Sequence, residues 1–156
     1  MSVKSRQNSL SHIELFAPDE FVGDAVNQLK SAPAAERGAI YTRTEVVDFM
    51  LDLIGYTPEQ YLWQFRLLEP SFGGGEFLLK AVERLLEASQ KAEIPHRELS
   101  TAIRAVELHR DTFAQTQEEL FKLLRAKKVP AGTASMLLDN WLKNADFLLE
   151  PYREHF

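Results

Sequence analysis

The 156 residues are enough for one domain with a buried core, and 45% hydrophobic with 26% charged residues is ordinary for a globular protein. Zero cysteines exclude disulfides and thiolate metal sites, which suits a reducing cytoplasm, and no apolar run approaches the ~20 residues of a membrane span. The net charge is −5 and no basic run exceeds Arg125-Ala126-Lys127-Lys128, so any surface that grips a nucleic-acid duplex is expected mostly elsewhere.

Residues 1–36 read as an arm and a short helix. The first 18 are polar and Ser-rich, with no apolar core behind Met1–Arg6 that would make a signal peptide. Asp19–Lys30 carries Phe21, Val22, Ala25, Val26 and Leu29 at helical spacing, and Ser31–Gly38 is a linker. Residues 37–156 form the main domain. Thr42 opens a helix, with Glu45 completing a capping box, and Val46, Val47, Met50, Leu51, Leu53 and Ile54 recur at helical spacing before Gly55 stops it. Thr57, Pro58 and Gln60 predict a second short helix. Phe65–Glu69 is a short buried strand, followed by a glycine-rich loop and a helix over Glu76–Lys91. A strand over Ala102–Glu107, a helix over Arg110–Ala126, another over Ser135–Lys143 and a third strand over Asn144–Leu149 complete the chain.

Strands alternating with helices imply a parallel sheet with crossover helices. The expected class is α/β, Rossmann-like, with about three parallel strands, flanking helices and a helix-rich N-terminal region: half of a doubly wound sheet.

The first strand ends in Glu69, and the chain turns through Pro70 to Gly73-Gly74-Gly75. Consecutive glycines let backbone approach a ligand closely, and the next helix presents its free amides to the same space. A dinucleotide fingerprint starting at Gly73 needs glycine at position 78, which is Leu78, and no lysine follows the glycines as a P-loop requires. An acid at the strand end repels phosphate but suits the α-ammonium of an amino-acid-like ligand, a group that S-adenosylmethionine (SAM) carries. Glu107 closes the second strand, where a carboxylate commonly accepts hydrogen bonds from ribose hydroxyls. It lies 38 positions after Glu69. That exceeds the usual ~20 from the glycine motif, so residues 89–101 read as an insertion. Asp146 and Phe147 close the third strand region, an acid to receive an adenine amino group beside a ring to stack on it. The bland alternatives are a turn without ligand, a solvated glutamate and a core phenylalanine.

In order, these segments resemble the motifs of SAM-dependent DNA adenine-N6 methyltransferases, most closely the TaqI-like group within the type II restriction–modification methylases. Gly38-Ala39-Ile40-Tyr41-Thr42 with Glu45–Met50 resembles their N-terminal methionine-side motif. Leu68-Glu69-Pro70 through Phe77-Leu78 resembles Asp/Glu-Pro-x-x-Gly-x-Gly-x-Phe-Leu, Val106-Glu107 the ribose acid, and Ala145–Leu149 the adenine-binding segment. The resemblance runs from about Arg37 to the C-terminus. It implies that Tyr41 and Thr42 line the methionine end of SAM, that Glu69, Pro70, Gly73 and Gly75 form its cradle, that Glu107 clamps the ribose, and that Asp146 and Phe147 hold the adenine. Arg43 departs from the family's usual proline and alters the methionine pocket; the first helical turn tolerates either.

The family's catalytic Asn/Asp/Ser-Pro-Pro-Tyr/Phe, which engages a flipped-out adenine, has no counterpart, because the sequence holds no Pro-Pro and its last proline stands in Glu150-Pro151-Tyr152. The expectation is a methyltransferase truncated before its catalytic motif, meeting DNA only through a missing C-terminal region. In such folds a fourth strand lies beside the first, so the expected bare edge calls for a complementing chain, a dimer or another covering segment. Two readings from other classes stand beside this one: a non-catalytic module that binds SAM or a partner, and a methyltransferase half acting on RNA or protein. A Gly-x-Ser-x-Gly hydrolase elbow is absent, and Glu107 with His109 makes two candidate metal ligands without a third.

Overall fold

The structure, a computed structural model, describes residues 43–149. Residues 1–42, including the arm, the Asp19–Lys30 helix and the site candidates Tyr41 and Thr42, lie outside the described residues, as do residues 150–156. Three parallel strands form one sheet in the order β1-β2-β3: β1 (Leu67–Glu69), β2 (Ile103–Glu107) and β3 (Leu142–Asn144). Leu67 is paired with Ile103, and Ala105 with Leu142, so β2 is the central strand and is almost wholly buried. This is the expected Rossmann-like arrangement.

Helix α1 (Thr44–Leu53) precedes the sheet. Its N-cap is Arg43, with no side-chain cap bond; Thr42, expected to form a capping box with Glu45, lies outside the described residues. The end is as the glycine predicts. Gly55 sits at φ +73°, the Tyr56 amide donates to Leu51 (2.8 Å) and the Gly55 amide to Asp52 (3.0 Å), the paired closure of a glycine-stopped helix. Of the six apolar residues read at helical spacing only Val47 and Leu51 are buried; Val46, Met50, Leu53 and the C-cap Ile54 are 45–74% exposed, as is Phe49. The inner side is fixed instead by Arg84, whose guanidinium donates to the Asp48 and Asp52 carboxylates and to the carbonyls of Asp48 and Tyr56.

The helix expected after Thr57 does not form. Tyr56 and Leu62 are both drawn into the core, and the five residues between them make a tight turn, the Gln60 amide donating to the Thr57 carbonyl (3.0 Å). A single 3-10 turn (Leu62–Gln64) leads to β1, which starts at Leu67 rather than Phe65.

Helices α2 (Glu76–Lys91) and α3 (Arg110–Ala126) have the predicted bounds. Each carries an acid in its first turn and a base in its last, complementing the helix dipole. On α2, Leu78, Ala81, Val82, Leu85, Leu86 and Ala88 are buried, and each large side chain contributes about 1.5–3 kcal/mol. The insertion between α2 and β2 is a 3-10 segment (His96–Thr101) that buries Leu99.

Helix α4 spans Ala131–Trp141, four residues earlier at its start than expected. Pro130 caps α4, its carbonyl accepting the Ala134 amide (2.8 Å). Buried Trp141 donates its indole N–H to the Leu99 carbonyl (2.9 Å), which fixes where the helix ends. The chain therefore enters the sheet at Leu142, and β3 occupies 142–144 in place of the expected Asn144–Leu149. Asp146 and Phe147 lie beyond the strand, in a turn. No described helix is long and apolar enough to cross a membrane.

Candidate functional site

Parallel pairing brings the carboxyl ends of β1, β2 and β3 to one edge, and the loops leaving them meet there. Phe72, buried against Phe113 (ring centroids 5.8 Å apart), donates its amide to the Val106 carbonyl (3.1 Å) and so carries the β1–β2 ladder into the glycine loop. Gly73 follows at φ +51° and Gly75 at φ +83°, both in the left-handed region that favours glycine. The Gly75 amide donates to the Phe72 carbonyl (2.8 Å), and its own carbonyl accepts the Leu79 amide at the start of α2 (2.7 Å).

Glu107 joins the second strand to this turn. Its carboxylate is buried, Oε2 accepting the Gly73 amide and Oε1 the His109 amide, each at 2.9 Å. Each oxygen still has acceptor capacity for a further donor. The two faces of the turn differ. A Cβ on Gly73 would meet no atom within 4 Å, whereas one on Gly75 would come 2.4 Å from Thr116 Cγ2 on α3. Thr116 Oγ1 also donates to the Gly73 carbonyl (3.0 Å).

The third strand is tied to the same edge. Asn144 Nδ2 donates to the carbonyls of Glu107 (2.7 Å) and Leu108 (3.1 Å), and the Ala145 amide donates to the Glu107 carbonyl (3.1 Å). That delivers the next residues, half-buried Asp146 and Phe147, to the side of β2's end. Asp146 Oδ1 accepts the Leu148 amide (2.9 Å), shaping the turn.

Glu69 faces a different space. Together with Tyr56, Phe65, Leu67, Leu68 and Phe77 it lines a groove of about 600 Å³ along β1's outer edge. Burial pushes its carboxyl up to about 7 and raises the Tyr56 hydroxyl as well, which has no hydrogen-bond partner among the described residues. Pro70 is exposed in the loop between.

Of the nine candidates, then, Gly73, Gly75 and Glu107 are in direct or one-bond connection, and Asp146 with Phe147 is joined to them through Asn144 and Ala145. Glu69 and Pro70 lie at the β1 end of the same loop, and Tyr41 and Thr42 fall outside the described residues. Three further residues belong to the constellation and carried no signal. Thr116 bonds a carbonyl 43 positions away, Asn144 reads in sequence as a strand residue, and the buried Nδ1 of His109 lacks a described partner.

No family model matches the chain, and no solved structure does. Curated proteins do. The chain is 53% identical to Type II methyltransferase M.PaeR7I of Pseudomonas aeruginosa over 123 residues, which is 77% of this chain and 21% of that protein. It is 39% identical to Type II methyltransferase M.XhoI of Xanthomonas vasicola (78% of this chain, 23% of that protein) and 37% identical to Type II methyltransferase M.BstVI of Geobacillus stearothermophilus (72% and 21%). The chain thus spans about a fifth of the length of these relatives. Over that span its sequence is similar to the corresponding part of these Type II methyltransferases.

Proposed function

We propose that this chain is the SAM-binding portion of a site-specific DNA adenine-N6 methyltransferase. The observation that carries this reading is the bond from the Gly73 amide to Glu107, which joins the glycine turn to the acid of the neighbouring strand at the carboxyl edge of a parallel sheet. The donor set suits the cofactor. Glu107 keeps lone pairs for the ribose hydroxyls, Gly73 opens onto free space, and Asp146 with Phe147 stands beside them for the adenine. Glu69 and Pro70 bound the loop on the methionine side, where Tyr41 and Thr42 would complete the wall. SAM supplies an activated methyl group when bound; the residues of this chain hold and orient it.

The acceptor, adenine N6 in DNA, rests on the ordered family motifs and on the type II relatives. The acidic balance and the apolar groove along β1 support a division of labour in which a further segment or a second chain covers that edge.

Isothermal titration of the 156-residue chain with S-adenosylhomocysteine tests the cofactor reading. Weak binding by the wild type and its loss in Glu107→Ala are expected; no heat for the wild type, or equal heat for the variant, overturns it. For the acceptor, the full-length protein incubated with SAM and DNA should yield N6-methyladenine, and a methylated cytosine would overturn that part alone.

A further inference from the structure

We propose that Thr116 is the positioning residue of the cofactor turn. The Gly73 residue is held at both ends: its amide by Glu107 from β2 (2.9 Å) and its carbonyl by the Thr116 hydroxyl from α3 (3.0 Å). Phe72 and Gly75 are buried, so these bonds set the attitude of a backbone unit that faces open space. Thr116 is 1% exposed, too deep to touch a ligand itself. It acts through the turn.

Both branches of the side chain are used. The hydroxyl fixes the Gly73 carbonyl, directing the rest of that peptide toward Gly74. The methyl, Cγ2, occupies the place a Cβ on Gly75 would need, with 2.4 Å between them. Gly75 is therefore constrained twice, by a φ of +83° and by Thr116 behind it, and only a residue without a side chain lets the turn lie this close to α3. Serine would supply only the bond and valine only the shape.

This inference rests on the SAM reading for its consequence, and two readouts keep the two apart. In the ligand-free chain, amide hydrogen exchange at Gly73–Glu76 should speed up roughly five-fold in Thr116→Val, the loss of about one hydrogen bond. It should stay near wild type in Thr116→Ser, and the amides around Leu120 and Leu124 should be unchanged in both. Uniform acceleration along α3, or no change at the turn, overturns the proposal, since a merely structural threonine would loosen its own helix. With S-adenosylhomocysteine, Thr116→Val should weaken binding roughly five-fold while Thr116→Ser stays within about two-fold; equal affinity in wild type and Thr116→Val overturns it as well. If the wild type does not bind, the SAM reading falls, and the exchange pattern alone decides whether Thr116 holds the turn. A second pair reads the methyl. Gly75→Ala should damage exchange protection at the turn several-fold less in a Thr116→Ser background than beside threonine, because the left-handed strain is common to both and only the 2.4 Å clash is relieved. Equal damage in the two backgrounds overturns the role given to the methyl.

Discussion

The loop at the carboxyl end of β1 and the outer edge of that strand face opposite fates. At its carboxyl end the polar groups are matched: the Gly73 amide and carbonyl, both Glu107 oxygens and the Glu107 carbonyl all have partners within the described residues. Along its outer edge the reverse holds. Leu68, Phe65, Met50 and Ile54 are 40–67% exposed, Glu69 is held neutral up to about pH 7, and the Tyr56 hydroxyl is buried without a described partner. A region that satisfies its own hydrogen bonds is organised before any ligand arrives; one that leaves apolar surface and an unmatched hydroxyl is shaped for something laid against it. The first region holds the turn proposed to bind the cofactor, and the second is where the proposed covering segment or chain belongs.

The largest expected effect tests the matched region. Glu107→Ala removes two charge-assisted bonds and leaves the Gly73 and His109 amides without their acceptor, a loss of about 3 kcal/mol. Urea unfolding of wild type and variant measures it. A loss below about 1 kcal/mol would mean that the turn does not depend on the carboxylate, and that the contrast between the loop and the outer edge of β1 is drawn too sharply.

How much of this was legible follows from how local each cause is. Helices α2 and α3 could be bounded from sequence because their apolar spacing and terminal charges lie within the segments themselves. The Gly55 stop and the acid at the end of β2 were legible for the same reason. The errors are tertiary. The Thr57-Pro58 pattern is a sound helix start, yet burial of Tyr56 and Leu62 leaves no room for one. Trp141 ends α4 because its indole finds the Leu99 carbonyl 42 positions back, and this moved β3 two residues toward the N-terminus and put Asp146 and Phe147 after the strand. Thr116 sits mid-helix with nothing in its neighbourhood to distinguish it from other polar helix residues; only the fold reveals what its hydroxyl meets.

A smaller effect tests the unmatched edge through Glu69. Its folded-state pKa lies above the unfolded value, so the neutral form is favoured by folding. Stability is fully present below about pH 4.5 and falls as pH rises through about 7. Glu69→Gln removes that dependence. The variant should match the wild type at pH 4 and exceed it by about 1 kcal/mol at pH 8, the shift being discounted for the carboxyl's partial exposure. The same group should mark ligand binding: S-adenosylhomocysteine affinity should weaken in the wild type between pH 8 and pH 6, as Glu69 loses the charge that would meet an ammonium, and stay level in the variant. A wild type without this slope would remove Glu69 from the methionine side.

The smallest change in stability, and the clearest separation of the two regions, is expected at Leu68. It stands on the β1 edge in register with Arg104 and contributes exposed apolar surface to the groove. Position 68 is 40% exposed, so Leu68→Glu should cost under about 1 kcal/mol. What should change is association. A strand edge that no described strand pairs, beside apolar side chains, is a template for pairing, so the wild-type 156-residue chain should self-associate in sedimentation velocity at tens of micromolar, and Leu68→Glu should move it toward monomer. S-adenosylhomocysteine binding should be untouched by the substitution, because residue 68 lies on the edge and not in the turn. A wild type that sediments as a monomer at every concentration would show that this edge needs no cover; a variant that stays associated would place the contact on another surface. Either result would break the contrast at its weaker end while leaving the Glu107–Gly73–Thr116 arrangement to be judged on its own.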